Sequence, residues 1–154
     1  MHLVQAPLPA SEAHLPEVAI RVDRQKLAKR RWRASAEDGT DFGFELEAPL
    51  SHGDVAAVTD AARYIIRQAP EPVLEIPLDV APDAAAVIGW AVGNLHFAIE
   101  AQATRLLAPD DTGLRQSLDR LGIHYHAASE VFQPHRFAGS LLGHGHGHGH
   151  SHPH

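Results

Sequence analysis

Cysteine is absent from the chain, which excludes disulfide bonds and thiolate metal sites. Long apolar runs are missing as well, and none approaches the roughly 18 residues that a membrane-spanning helix needs. We therefore expect no contact with a membrane. The first residues also lack the basic stretch and apolar core of a signal peptide. These absences together predict a cytoplasmic protein.

An excess of positive charge is lacking too. The net charge is −6 with the histidines counted as neutral, and a negatively charged protein has no general affinity for nucleic acid. One basic stretch, residues 24–33, holds six lysines and arginines. A solvated strand or a contact with an acidic partner explains this stretch better than nucleic acid does. We therefore expect no nucleic-acid partner.

The first half of the chain has the pattern of a β-rich domain. Strands are predicted from alternation and β-favouring residues at 18–22, 31–35, 41–47, 55–59 and 62–69. Turn signals at 37–39 and 51–54 separate some of them. We predict an N-terminal domain over residues 1–75, with a small β-sheet and a role in binding a partner or peptide.

Four prolines lie between residues 69 and 83. Because proline donates no hydrogen bond to a sheet, this stretch is expected to hold only a short strand, over residues 73–76. A proline-rich stretch is also a favourable place for a domain boundary. We place the second domain at residues 76–138.

The second domain is predicted to follow the order β-α-β-β-α-β. Pro82 suits the first turn of a helix, and Gly93-Asn94 would end that helix because both residues tolerate a positive φ. The elements expected next are strands at 96–101 and 104–108, a helix from Asp110-Asp111 to Gly122 with leucines 114, 118 and 121 on one face, and a strand at 123–128. This is the order of a ferredoxin-like domain, so the predicted fold class is α+β.

Histidine is the residue in excess: there are 13, as many as all lysines and arginines together. Six of them alternate with small residues in the tail, at His144, His146, His148, His150, His152 and His154. Residues 139–154 carry no apolar periodicity, so we predict a disordered tail. Imidazoles two residues apart in an extended strand lie roughly 6.6–7 Å apart, too far to share one metal ion. The tail must therefore turn to chelate, and its glycines permit this.

Such a tail suits a flexible metal collector. Neutral imidazole binds nickel, zinc and copper, whereas Mg²⁺ and Ca²⁺ prefer oxygen ligands. Ligand type alone does not choose among the three metals. An engineered purification tag or a pH-sensitive tail are the alternative interpretations of the same pattern.

A collecting tail implies a better defined site inside the fold. His96 follows the predicted helix end, where a single histidine is more often structural, but two His96 side chains in a two-fold dimer would double the ligand count. His135 lies just before the tail and is a candidate for the same ion. His124 and His126 point away from the apolar face of their strand. They are either auxiliary ligands or plain surface residues.

The segment VGNLH at residues 92–96 is similar to a Gly-Asn-Arg-His segment of the UreE urease accessory proteins, a family of nickel metallochaperones. Residues 23–55 resemble the N-terminal domain of that family, and residues 70–76 resemble its domain junction. Residues 114–123 and 131–134 are similar to its last helix and to the Phe-x-Pro segment beyond it. A histidine-rich tail is typical of the family as well.

The resemblance implies a nickel metallochaperone without enzyme activity. It implies a homodimer through the second domain, with nickel held by His96 of each subunit and completed by tail histidines. The implied partners are the urease apoenzyme complex and its accessory GTPase. The chain departs from the family at Leu95, where arginine is usual. It also has Asp110-Asp111-Thr112 where some members carry the histidines of a secondary metal site.

Other functions are weighed against this one. General storage or detoxification of nickel or zinc is the main alternative. A metalloenzyme would need a closed ligand set with an acid or base in a pocket, and the sequence shows none. The segment 52–54, His-Gly-Asp, lies near no recognisable nucleophile and is interpreted as a turn. The chain has no phosphate-binding loop of the pattern GxxxxGK[ST], so it is not itself the GTPase.

Overall fold

The structure is a computed structural model and describes residues 1–10 and 14–135. Helices and strands occur in both halves of the chain, which confirms the predicted α+β class. The tail predicted to be disordered, residues 139–154, lies outside the described residues.

Strands dominate the N-terminal half, as predicted. Its elements are β1 (His2–Val4), β2 (Glu17–Val22), α1 (Arg24–Leu27), β3 (Arg31–Ser35), β4 (Asp41–Glu45), β5 (Val55–Val58) and β6 (Arg63–Gln68). In the described part of this half they form two sheets, with strand orders β1-β4-β3 and β2-β6-β5. Each sheet contains one parallel pairing, β1 with β4 and β2 with β6. The predicted small sheet is therefore a pair of sheets.

Both sheets of the N-terminal half contribute to one apolar core. The rings of Trp32 and Phe44 stack with their centroids 3.6 Å apart. Phe42 contacts Tyr64 of the other sheet, with ring centroids 4.9 Å apart. Aromatic side chains bury large apolar areas, so these rings account for much of the packing between the sheets. The indole Nε1 of Trp32 is buried without a hydrogen-bond partner among the described residues.

The turn between β3 and β4 is built around Asp38. Gly39 takes a positive φ of 85°, which a residue without a Cβ adopts easily. The backbone N–H of Thr40 donates to Asp38 Oδ1 at 2.9 Å, and the hydroxyl of Tyr64 donates to Asp38 Oδ2 at 2.9 Å. The hydrogen bond from Thr40 is the main cause that lowers the pKa of Asp38. The predicted turn at residues 37–39 is confirmed.

The basic stretch 24–33 is not a single solvated strand, and the alternative, a contact with an acidic partner, stays a prediction. It is α1 followed by β3, with Lys29 and Arg30 in the connection. Asp23 caps α1, because its side chain accepts a hydrogen bond from the backbone N–H of Lys26 at 2.7 Å. An aspartate three residues before a helical N–H is a common helix start, and this signal could have predicted α1.

The C-terminal half follows the predicted order β-α-β-β-α-β. Its elements are β7 (Glu71–Pro77), α2 (Pro82–Gly93), β8 (Glu100–Ala101), β9 (Arg105–Pro109), α3 (Thr112–Leu121) and β10 (His126–Glu130). The strands pair in the order β10-β7-β9-β8, and each of these pairings is antiparallel. The two edge strands of this sheet are therefore β10 and β8.

The strand β7 is longer than the four residues predicted for it. It lies in the middle of the sheet, and its side chains at Val73, Leu74 and Ile76 have no solvent exposure. Its prolines stand near its two ends, where fewer ladder hydrogen bonds are lost. The change from one sheet to the other falls between residues 68 and 71, so the predicted division at 75–76 lies inside β7.

Leucines of α3 pack on one face of this sheet. Asp111 caps the helix by accepting from the backbone N–H of Leu114 at 3.0 Å, and Gly122 ends it with a φ of 66°. Leu114 and Leu118 are fully buried against the sheet, as predicted. Leu121 is 55% exposed, so the prediction was wrong for this third leucine. Leu121 is the last residue of this helix, and it lies beyond the buried Leu118.

Candidate functional site

His96 lies in the turn that follows α2, and it is exposed. Its backbone N–H donates to the carbonyl of Gly93 at 3.1 Å. Its φ is 59°, and among the described residues other than glycine it is the one with a positive φ. The left-handed conformation costs an L-residue roughly 1–2 kcal/mol, although histidine adopts it more often than most.

The helix α2 ends at Gly93 with Asn94 as its cap, which confirms the stop predicted at Gly93-Asn94. The φ of Asn94 is −66°, and the positive φ beyond the helix is that of His96. The strand predicted to open at His96 begins only at Glu100. The reason is packing: Leu95 and Phe97 both pack against the helix-covered core. A reversal of the backbone between them leaves the His96 side chain outside.

His135 lies beside the edge strand of the same sheet. Its backbone N–H donates to the carbonyl of Ile99 at 2.8 Å, and its ring Nε2 lies 3.3 Å from the carbonyl oxygen of Ala101. Ile99 is three residues from His96, which is at most about 11 Å of backbone. The structure therefore places these two predicted ligands in one neighbourhood, at the β8 edge.

His124 and His126 are both exposed, while Ile123 and Tyr125 pack against the core under the helices. This is the alternation expected from the sequence. The strand begins at His126, however, and not at residue 123 as predicted. His126 pairs with Glu75 on β7. The two histidines thus belong to the β10 edge, at the other side of the sheet from β8, and their role as ligands stays a prediction.

Across residues 1–10 and 14–135, no three histidine, aspartate or glutamate side chains come together in a way that could hold a metal ion. The six tail histidines predicted as ligands lie outside the described residues. Among the described residues, His96 and His135 lie on the same side of the sheet, near β8, and each is exposed.

The carboxylates before α3 already have partners. Asp110 accepts two hydrogen bonds from the Arg115 guanidinium, at 2.6 and 2.7 Å, and this pairing lowers the pKa of Asp110. Asp111 caps the helix. Arg115 also lies over the ring of Tyr125, whose pKa is raised chiefly by burial. These contacts explain the two aspartates as structural residues.

The helix α2 leads directly into His96 and presents an apolar surface. Val87 is 63% exposed and Trp90 is 70% exposed, whereas Val92 is the fully buried residue of this helix. Large apolar side chains grouped on a surface usually mark an interaction site. The helix that leads to His96 thus has an apolar surface that is open to a partner.

The sequence did not single out several side chains that position His135. Glu100 accepts a hydrogen bond from the backbone N–H of Gln133 at 2.6 Å. Gln68, on β6, donates to the carbonyl of Phe132 at 2.7 Å. The Phe-x-Pro segment at residues 132–134 was the signal available for this region, but a sequence does not show which distant residues hold it. His52 is structural, because its Nδ1 accepts from the backbone N–H of Gln68 at 3.1 Å.

The fold and its histidines define a class of protein: an α+β chain with exposed imidazoles at both edges of an antiparallel sheet and an apolar helix leading to one of them. In the described ranges, no helix has the length and apolar content needed to cross a membrane.

Comparison with known proteins identifies the family. Residues 71–154 match the family described as the UreE urease accessory protein, C-terminal domain. The chain is 34% identical over 124 residues to the urease accessory protein UreE of Paracoccus denitrificans, covering 78% of this chain and 73% of that protein. It is 35% identical over 130 residues to UreE of Agrobacterium fabrum, covering 83% and 78%. It is 30% identical over 132 residues to UreE of Ruegeria sp., covering 84% and 71%. The chain belongs to the UreE urease accessory protein family.

Proposed function

We propose that this protein acts in urease maturation as a nickel-binding metallochaperone, which delivers Ni²⁺ to apo-urease in the cytoplasm. Family membership supports the link to urease. The observation that carries the nickel site is the position of His96, exposed in a strained turn, with His135 fixed close by. Nickel is the cargo of this protein and not a resident cofactor.

Imidazole suits a cargo that must later be released. Borderline divalent ions bind neutral imidazole nitrogen well, and a site on the surface leaves positions open to an incoming ligand. A site of thiolates held at fixed spacing would suit permanent structural binding better, and this chain has no cysteine. Zinc and copper are expected to bind the same donors in vitro.

A homodimer is part of the proposal, because one His96 provides one ligand. The exposed Val87 and Trp90 on α2 support it, since tryptophan is among the residues that dominate stable interfaces. If α2 packs on its partner copy, the turn that follows it comes to the edge of the interface. The ligand set then consists of two His96 side chains together with His135 or a histidine of the tail.

The tail has a separate role in this proposal. Its six histidines and its glycines suit fast capture of ions at weaker sites. The captured ion would move to His96 and from there to the urease apoenzyme complex, with the accessory GTPase as the second partner. Nothing in this sequence of events requires turnover by the protein itself.

The test is a nickel titration of the full chain and a His96→Asn variant, by calorimetry. Asparagine tolerates a positive φ, so the variant removes the imidazole without adding strain at the turn. We expect the tightest class of sites to weaken at least about 100-fold, equal to 2.8 kcal/mol at 1.4 kcal/mol per factor of ten. Total uptake should fall modestly because the tail is intact. Activation of apo-urease at limiting nickel should fall in parallel.

His124→Asn is the matched control, because it removes an exposed imidazole at the other edge of the sheet. It should leave the tightest site unchanged. If the tight site survives in the His96→Asn protein while the tail-deleted protein loses it, storage by the tail becomes the better function. If urease activation is unchanged in both the His96→Asn protein and the tail-deleted protein, the delivery role is refuted.

A further inference from the structure

We infer that residues 131–135, here called the crossing segment, position the nickel site, and that residues of the N-terminal half hold this segment in place. The inference rests on the proposed function, since it concerns the same site. It assigns positioning roles to Glu100, Gln68 and Phe132.

The path of the crossing segment follows from the sheet order. β10 ends at Glu130 on one edge of the sheet, and His135 bonds to Ile99, beside β8 on the opposite edge. Three strand spacings separate these edges, about 14 Å at 4.7–4.9 Å each. Five extended residues span at most about 18 Å. The segment must therefore run almost straight across the face of the sheet that the helices leave open.

Phe132 is the anchor in the middle of this path. It has no solvent exposure and packs against Val73 and Leu107, which lie on the face of the sheet away from α3. The Arg24 guanidinium lies over its ring, 5.1 Å from the centroid. Full burial of a phenylalanine is strongly favourable because its apolar ring leaves water, so the middle of the segment is firmly held.

The N-terminal half contributes one further contact to this anchor, from Gln68, beside that of Arg24. Arg24 is itself fixed by Glu71, with hydrogen bonds of 2.8 Å from both Nε and Nη2. Gln68 is buried, and its amide donates to the carbonyl of Phe132 at 2.7 Å. A buried carbonyl that loses its donor is costly. The position of the crossing segment therefore depends on residues far from the histidines in sequence.

Beyond Phe132, the segment is fixed to the β8 edge. Glu100 accepts from the Gln133 N–H at 2.6 Å and from the side chain of Gln102 at 2.9 Å. His135 then bonds to Ile99 through its backbone. His135, the last described residue before the tail, is therefore held on the side of the sheet that also carries the His96 turn.

The ring of His135 is oriented as well. Its Nε2 faces the carbonyl of Ala101 at 3.3 Å. A neutral imidazole that donates from Nε2 carries its lone pair on Nδ1, and a carbonyl partner of this kind commonly orients a metal-binding histidine. The geometry thus favours ligation through Nδ1 of His135.

The experiment compares Glu100→Ala with Glu100→Gln in the full chain. The alanine variant removes the acceptor for Gln133, whereas glutamine keeps an acceptor oxygen at the same place. We expect Glu100→Ala to weaken the tightest nickel site about 10- to 100-fold, the range typical of residues that orient metal ligands. Glu100→Gln should restore most of this affinity. Hydrogen exchange of the Gln133 and His135 amides, measured without nickel, should accelerate in the alanine variant alone.

Glu37→Ala is the matched control, because it removes an exposed carboxylate paired with Arg21 in the N-terminal half. It changes the net charge equally and should leave the nickel isotherm unaltered. Gln68→Met removes the donor to Phe132 and should weaken the tight site in the same direction as Glu100→Ala.

The outcomes separate the two proposals. A tight site that His96→Asn removes but Glu100→Ala and Gln68→Met leave intact overturns the positioning role alone. Equal losses in Glu100→Ala and Glu100→Gln would show that the carboxylate charge matters and not the hydrogen bond, which also overturns it. If His96→Asn weakens no nickel site of the full chain, the proposed function itself is overturned.

Discussion

The two halves of this molecule differ in how completely they bury their apolar side chains. The N-terminal half encloses a core of stacked aromatic rings between two sheets, and residues from each of its main strands are buried there. The C-terminal half has a smaller core, and its helix α2 leaves Val87 and Trp90 in solvent. The first half thus has a well-packed core of its own. The second half leaves the apolar side chains of α2 and several histidines exposed.

The largest effect that would separate the halves is expected for Phe42→Ala. Phe42 is almost completely buried and contacts Tyr64, so its loss should lower the free energy of unfolding by about 3–5 kcal/mol. Urea denaturation measures this. Under conditions where the variant stays folded, its tightest nickel site should match that of the unchanged chain. If the folded variant loses its tightest nickel site, the site in the second half depends on the core of the first half.

A smaller effect is expected from Trp90→Lys on α2. The metal-free protein should dissociate into monomers, with a loss of about 2–4 kcal/mol of association free energy and little change in monomer stability. Sedimentation at micromolar concentration measures the masses. Leu3→Lys is the control, because Leu3 is 60% exposed in the other half and should leave the dimer intact. A metal-free unchanged chain that is already monomeric would contradict a preformed dimer.

Acid should act on the two halves through different carboxylates. The folded-state pKa values of Asp38 and Asp110 are both lowered, the first mainly by the Thr40 N–H and the second by Arg115. Each carboxylate therefore stabilises the fold above its unfolded pKa of about 3.9. That contribution is lost as the pH falls through the lower folded-state value.

Melting temperatures of Asp38→Asn and Asp110→Asn against pH test this. Each variant should melt below the unchanged chain near neutral pH, and the difference should vanish in strong acid. Added salt should shrink the difference for Asp110→Asn, because salt screens an ion pair. It should affect Asp38→Asn less, since a backbone N–H is its main partner. A salt response of equal size at both sites would refute this distinction.

The smallest effect is expected for Trp32→Phe in the N-terminal core. The variant removes an indole N–H that lacks a partner among the described residues while keeping a ring on Phe44. Relief of a buried unpaired donor opposes the loss of packing volume. The free energy of unfolding should change by no more than about 1 kcal/mol, measured in urea beside the unchanged chain. A loss of several kcal/mol would show that the indole nitrogen has a partner.

Local signals predicted much of this fold. Helix starts and ends are set by residues within one or two turns of the chain, so the sequence alone predicts them. Examples are Pro82 at the start of α2, Asp111 before α3 and Gly122 after it. The parallel pairings of β1 with β4 and of β2 with β6 join distant segments, and no local pattern encodes them. The length of β7 was missed because tertiary burial outweighed its prolines.

The candidate site shows the same division. His96 and His135 were chosen from sequence because of their residue type and their places beside a helix end and the tail. The crossing segment that leads to His135 donates to Glu100 from the Gln133 N–H, and it accepts from Gln68 at the Phe132 carbonyl. Those partners lie 33 and 64 residues away in sequence, which is why they could not be predicted.

The positive φ at His96 costs the fold stability at a single residue. Glycine at this position would adopt the same backbone without the roughly 1–2 kcal/mol that an L-residue loses there, and nothing in the packing requires a side chain that points into solvent. Selection for a more stable chain alone would therefore remove the imidazole. A histidine at this place is a cost to the fold, and stabilised variants chosen only by heat resistance should drift away from it.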